Sequence, residues 1–199
     1  MTQKPEAEQR SHVQALEHRA DGDTMTVAGY AAVFGETTDI GGYFREVIAR
    51  GAFAETLQTA DVLAYFDHDS GRVLGRSSAG TLRLVEDSKG LAVEIDLPDT
   101  SDGRDVRTLI ERGDIKGMSF GFMVTRQEWD ETGAIPTRTI KEVVLREVSI
   151  VSEPAYDGTS IALRSLDEAR RDRRHSNFSA AARRVGMKVT LDLRSRSKA

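Results

Sequence analysis

The chain of 199 residues contains no cysteine, only four prolines and a single tryptophan, and aromatic residues make up just 6% of it. Without cysteine there is no disulfide framework, no thiol nucleophile and no thiolate metal site. No apolar run approaches the roughly 18 residues of a membrane-spanning helix, and Met1–Arg10 lacks the apolar stretch of a secretory signal. These absences lead us to expect an intracellular protein with no membrane partner. What is present fits one compact domain with polar extensions: 39% hydrophobic residues, 30% charged residues and a mean hydropathy of −0.42.

Charge is unevenly spread. From Ala162 onward eleven Lys/Arg stand against four acids, so the tail carries +7, and residues 1–161 carry −11 within a total of −4. An acidic body with a basic tail implies segments with different partners. The tail has Phe178 as its one aromatic residue, which disfavours nucleic acid as its target. A docking or removable segment is the preferred reading.

Along the chain, residues 1–24 form a polar N-terminal arm or contribute a short first strand. Met25–Phe34 reads as a strand with a bulge at Gly29, Asp39–Gly42 as a turn and Phe44–Ile48 as a short apolar piece. Gly51–Leu57 has the spacing of a short helix. Val62–Phe66 is an apolar strand that runs into Asp67, His68 and Asp69; Ser70 and Gly71 turn the chain, and Val73–Arg76 follows. Thr81–Val85 and Leu91–Leu97 alternate around a turn, as a hairpin does. Thr100, Ser101 or Asp102 caps a helix whose stripe is Val106, Leu109 and Ile110, with Gly113 as its stop. Ile115–Val124 returns to period two, a polar loop containing Trp129 follows, and Arg138–Ser152 is a long strand pattern. The predicted fold is α+β and strand-dominated, a β-barrel core with a few helices outside it.

Three positions stand out chemically. His12, His18 and His175 lie in polar arms, as solvated histidines do, whereas His68 ends an apolar strand between two aspartates. An imidazole there suits a general base, and equally a turn histidine bonded to its neighbours. Ser119 lies on a strand whose one face is Gly117, Ser119 and Gly121 and whose other is Met118, Phe120, Phe122 and Val124. Small residues admit a substrate backbone, or simply a neighbouring element of the same fold. Residues 117–121 match the letters of the G-x-S-x-G elbow, but the strand continues through Val124 where that motif needs a strand–turn–helix, so an α/β-hydrolase is rejected. Glu147 is read as sharing a face with Val143, Leu145, Ser149 and Val151. A carboxylate there is costly unless paired, whether with an imidazole, with a cross-strand arginine or with water at a sheet edge. Glu153, beside Pro154, is the alternative. No phosphate loop and no metal-ligand cluster is found, so no cofactor and no metal are expected.

As an ordered set the motifs are more telling than any one of them. They comprise Gly29–Phe34, Gly51-Ala52-Phe53, His68-Asp69 with Val73–Arg76, and Gly90-Leu91. Arg112–Phe122, Glu147–Val151 and Pro154-Ala155-Tyr156 complete the series. Over roughly Thr26–Leu163 the chain resembles the prohead (capsid maturation) serine proteases of HK97-type tailed phages. That resemblance implies a fold like that of the herpesvirus assemblins, with a protease domain at 25–163; the basic tail at 164–199 has no clear counterpart in the motif set. It implies an endopeptidase that removes the scaffolding segment of the major capsid protein inside the immature capsid, in the host cytoplasm, and then processes itself. Carried over by motif, Ser119 is the nucleophile, His68 the base and Glu147 the third member; Arg76 and Arg146 are candidates to assist. A second copy of the chain is admitted as a partner. The competing reading is a non-catalytic capsid assembly module of the same fold, and a packaging factor acting through the basic tail ranks third.

Overall fold

The computed structural model describes residues 7–13, 16–21 and 24–153, together with 166–167, 169–174, 178–179 and 183. Two compact units result, Met1–Thr159 and Ser160–Ala199. In the second, residues 169–174 are helical; most of the basic tail, His175 and the Pro154–Tyr156 motif lie outside the described residues. No described helix is long and apolar enough to cross a membrane.

The first unit is built from strands β1 (Glu8–Val13), β2 (Glu17–Asp21), β3 (Thr24–Val33), β4 (Thr37–Ile40) and β5 (Phe44–Ile48). Helix α1 (Thr56–Thr59), β6 (Leu63–Phe66), β7 (Asp69–Arg76), β8 (Leu82–Glu86) and β9 (Gly90–Asp96) follow. Helix α2 (Ser101–Arg112), β10 (Gly117–Asp130) and β11 (Thr137–Val151) complete it. The strand-dominated α+β class is as expected, with two helices among the described residues of the first unit. The strands form two sheets whose hydrogen bonding does not close into a barrel. One has the order β1-β10-β11-β5-β4, with β6 on β11 and β7 on β6; the other runs β2-β3-β9-β8.

Local chemistry explains most elements. The Thr100 hydroxyl accepts the Gly103 N–H to start α2, Gly113 ends it at φ 78°, and Val106 and Ile110 are buried. On β9, Leu91, Val93 and Ile95 are buried at every second position. Gly29 marks a close approach between the sheets, because a Cβ there would lie 2.9 Å from Leu16 Cδ2 and Met118 Sδ. The register shift of β3 falls between Tyr30 and Ala32, next to the expected bulge.

The N-terminal residues, for which a short first strand was one of two alternatives, supply two strands, and three further elements differ from expectation. Polar residues 8–13 pair with β10 along their whole length, and 17–21 pair with β3. Residues 37–40, half of them read as a turn, form the edge strand β4. Strand β7 begins at Asp69, so the turn is made by Asp67 and His68 and not by Ser70 and Gly71. Strand β10 continues to Asp130, which places Trp129 in a strand against Phe44.

Strand β1 belongs to the fold because its charges are satisfied inside it. Arg10 donates from Nε to Glu46 Oε1 at 2.6 Å and from Nη2 to Glu8 Oε2 at 2.8 Å. Arg138 donates to both Glu8 oxygens, at 2.8 and 2.9 Å, and to Glu46 Oε2 at 2.9 Å, while its Nε reaches Gln127 Oε1. All four charged residues are at most 5% exposed, and the two arginines balance the two glutamates. In a flat sheet β1 and β5 would stand about 14 Å apart, three strand spacings. Direct bonds between Arg10 and Glu46 therefore require the sheet to curl, and ion pairs join strands that the backbone ladder does not.

Removing one member strands a buried charge, so Arg138→Ala is expected to cost about 3–5 kcal/mol, read by urea denaturation. Glu8 adds a pH dependence. Burial would raise its carboxyl, but hydrogen bonds and charge from Arg138 and Arg10 outweigh burial and hold it below the ordinary 4.5. A depressed folded-state pKa stabilises fully above the unfolded value, so this contribution is lost as pH falls below 4.5 and through the folded value. A Glu8→Gln chain should show a shallower loss of stability over that acid window.

Candidate active site

The position of His68 is set by a tight hairpin. Phe66 pairs with Asp69, and the two residues between them, Asp67 and His68, have φ 49° and 58°. Two positive φ values suit the right-handed twist of a two-residue hairpin, but side chains other than glycine take them at some cost. The Asp67 carboxylate offsets that cost by accepting the Ser152 N–H at 2.7 Å and the Ser152 hydroxyl at 3.1 Å, while the Asp67 N–H donates to the Ile150 carbonyl. Asp69 turns to the Gly71 amide. The bonds of both flanking aspartates thus go to other groups than the imidazole.

The carboxylate that does so comes from 79 residues away: His68 Nδ1 lies 2.8 Å from Glu147 Oε1. A carboxylate only accepts, so Nδ1 carries the hydrogen and Nε2 of the neutral ring is left as an acceptor. Glu147 Oε2 accepts the hydroxyl of Ser149 at 2.6 Å. The facing of Glu147 differs from the simple alternation expected. A register shift opposite Gly121/Phe122 leaves Arg146 unpaired, with Leu145 opposite Phe122 and Glu147 opposite Gly121. Paired residues share a face. Leu145 therefore joins Phe120, Phe122, Val148 and Ile150 in the core, and Glu147 falls on the other face with Gly121, Ser119 and Ser149.

Ser119 and Ser149 are register partners, and both are fully buried. On the core side Phe120 anchors β10 by stacking on Phe122 (4.8 Å between centroids) and meeting Phe53 edge-on (5.6 Å). The Ser119 hydroxyl donates to the Arg10 carbonyl of β1 at 2.9 Å. Ser119 thus shares the face of the His68–Glu147 pair without a hydrogen bond to it. Gly121 leaves the space that Glu147 fills, since a Cβ there would overlap Oε1 and lie 3.2 Å from Cδ. The bare side of β10 accommodates the Glu147 carboxylate.

The remaining candidates lie elsewhere. Glu153 is exposed. Arg76 is tied to Asp61 at 2.7 Å, and Arg146 is exposed at the register shift. His12 lies on β1, 3.7 Å from Glu36, and His18 is exposed on β2. Among the described residues no group of three or more His, Asp or Glu is arranged to hold a metal. The buried quartet and Ser149 escaped the sequence reading. Glu8, Arg10, Glu46 and Arg138 are separated by up to 130 residues in sequence, and only the Glu-Val-Ser spacing hinted at Ser149.

Serine, histidine and a carboxylate on one sheet face are the residue types of a serine-hydrolase centre. The chain matches the family described as Caudovirus prohead serine protease over residues 12–172, and it belongs to that family. It is 34% identical over 159 residues to the prohead protease of Enterobacteria phage HK97, covering 76% of this chain and 66% of that one. It thus spans just under two thirds of that relative. In fold it is similar to the bacteriophage T4 capsid assembly protease, with a TM-score of 0.55 and 12% identity over 76% of this chain and all of the other.

Because Gly121 makes room for Glu147, Gly121→Ala is expected to push the carboxylate off His68 and cost about 1–3 kcal/mol. Urea denaturation measures the loss, and a variant as stable as the parent would show that the carboxylate relocates freely.

Proposed function

We propose that the chain is a serine endopeptidase of capsid maturation in which Ser119 is the nucleophile, His68 the general base and Glu147 the residue that orients the imidazole. The observation that carries this is the 2.8 Å contact between His68 Nδ1 and Glu147, beside Ser119 on one face. Family membership supports the same chemistry. In the reaction Ser119 Oγ bonds to the carbonyl carbon of a peptide and its proton passes to His68 Nε2. The C–N bond then breaks, the imidazolium gives that proton to the leaving amine, and water releases the acyl group by the reverse sequence. For the first step the Ser119 hydroxyl must exchange the Arg10 carbonyl for His68 Nε2.

The substrate in this reading is the scaffolding segment of the major capsid protein inside the immature capsid, and afterwards the chain itself. The protease domain is 25–163, with β1 completing its sheet, and the tail 164–199 docks or is removed. The curled first sheet supports reading the core as an opened form of the assemblin-like barrel. A second reading, a non-catalytic assembly module, is favoured by one fact: Ser119 is buried and its hydroxyl is committed to Arg10.

Co-expression with the cognate major capsid protein separates the two. Wild type should shorten the capsid chain, and Ser119→Ala should reduce that by about 10⁶-fold. Glu147→Gln should slow it by about 10⁴-fold, as misorienting the base does. Equal intact masses in all samples, with particles still assembling, would put the assembly module first.

A further inference from the structure

Resting on the reading above, we infer that Ser149 is a positioning residue for the Glu147 carboxylate. Glu147 is a flexible side chain at a register shift, and an imidazole bonded to one of its oxygens does not by itself fix the plane of the carboxylate. Two features of this fold do so. The Ser149 hydroxyl donates to Oε2 at 2.6 Å while Oε1 meets His68 at 2.8 Å, so the two oxygens have different partners and cannot interchange by rotation without losing both. The absent Cβ of Gly121 leaves one slot for the carboxylate, opposite its own backbone.

Ser149 is suited to this by its surroundings. It is fully buried between Ser119 on β10 and Tyr65 on β6, its register partners on either side. A hydroxyl there with no acceptor would be costly, and Glu147 supplies the acceptor. The bond spans two residues of one strand, i to i+2, so it is fixed by β11 itself. His68 is anchored to the same strand through Asp67, whose N–H donates to the Ile150 carbonyl. Strand β11 therefore carries the carboxylate, the hydroxyl that orients it and the anchor of the histidine turn. Asp67 and Asp69, the charges flanking His68, are engaged with Ser152 and Gly71 and do not compete for the ring.

The test reads the hydrogen bond directly and not through turnover. In full-length chain labelled with ¹⁵N-histidine, the His68 Nδ1 proton held against a carboxylate gives a downfield resonance, assigned by its loss in Glu147→Gln. Ser149→Ala is expected to remove or strongly broaden that signal while the resonances of the core stay in place. Ser149→Thr keeps the hydroxyl on a residue that strands accept, and is expected to restore the signal. Cleavage of co-expressed capsid protein should fall about 10- to 100-fold in Ser149→Ala, the size of a misplaced catalytic group, and recover in Ser149→Thr. An unchanged His68 signal in Ser149→Ala would overturn the inference, as would loss of the signal in Ser149→Thr in a chain of unchanged fold. If the signal responds as expected but Ser119→Ala still cleaves, the nucleophile assignment fails while the positioning of Glu147 stands.

Discussion

The buried quartet of Glu8, Arg10, Glu46 and Arg138 is the constraint on which the first sheet depends. Two strands three positions apart are tied by bonds of 2.6–3.0 Å between oppositely charged side chains, all withdrawn from water. Such a group adds little net stability compared with an apolar equivalent, since desolvation offsets most of the Coulomb gain. Its effect is on geometry. Each carboxylate has two arginine partners, and a register slip of one residue would turn the β1 charges to the opposite face and leave Glu46 and Arg138 with only each other. The curl of the sheet and the register of β1 are thus fixed by the same four side chains.

The candidate site inherits that register. Because Glu8 and Arg10 face inward, the Arg10 carbonyl lies in the plane of the sheet beside β10, where the Ser119 hydroxyl meets it. On the far side β11 lends one edge to two parallel strands in succession, β5 along 137–140 and β6 along 147–150. The second of these delivers the Asp67–His68 turn to Glu147. A single register shift at Arg146 lets β11 serve both needs, with Leu145 in the core and Glu147 on the opposite face.

Much of this was legible in the sequence, and what was not has a common cause. Helix α2, the β8–β9 hairpin and the apolar face of β10 follow from periodicity and capping, which are local. His68, Ser119 and Glu147 stood out because each is a chemically active residue in a strand-like run. Left open was the choice between arm and strand for residues 8–13, and hidden was the face on which Glu147 falls. A segment such as Glu-Gln-Arg-Ser-His-Val reads as a polar arm when its charges are assumed to face water. It becomes a strand only because Glu46 and Arg138 complete the pairing from 36 to 130 residues away. The facing of Glu147 was hidden for a related reason: strict alternation predicts faces until one unpaired residue reverses them, and nothing in Leu-Arg-Glu announces the shift.

These constraints also bear on how Ser119 would become available to a substrate. Displacing β1 would break the quartet, at about 3–5 kcal/mol for a single uncompensated charge, besides the ladder to β10. Rotating the Ser119 side chain away from Arg10 forfeits one hydrogen bond of about 1 kcal/mol, and more only while its oxygen lacks a partner. The difference favours a change at Ser119 over departure of the strand. Nε2 of His68 is an acceptor of the kind the hydroxyl would lose, so the exchange conserves hydrogen bonds provided the imidazole is held in place by Glu147. On this argument β1 is part of the engaged site as well as of the resting one, and Ser149, by fixing Glu147, determines whether the exchange has a destination.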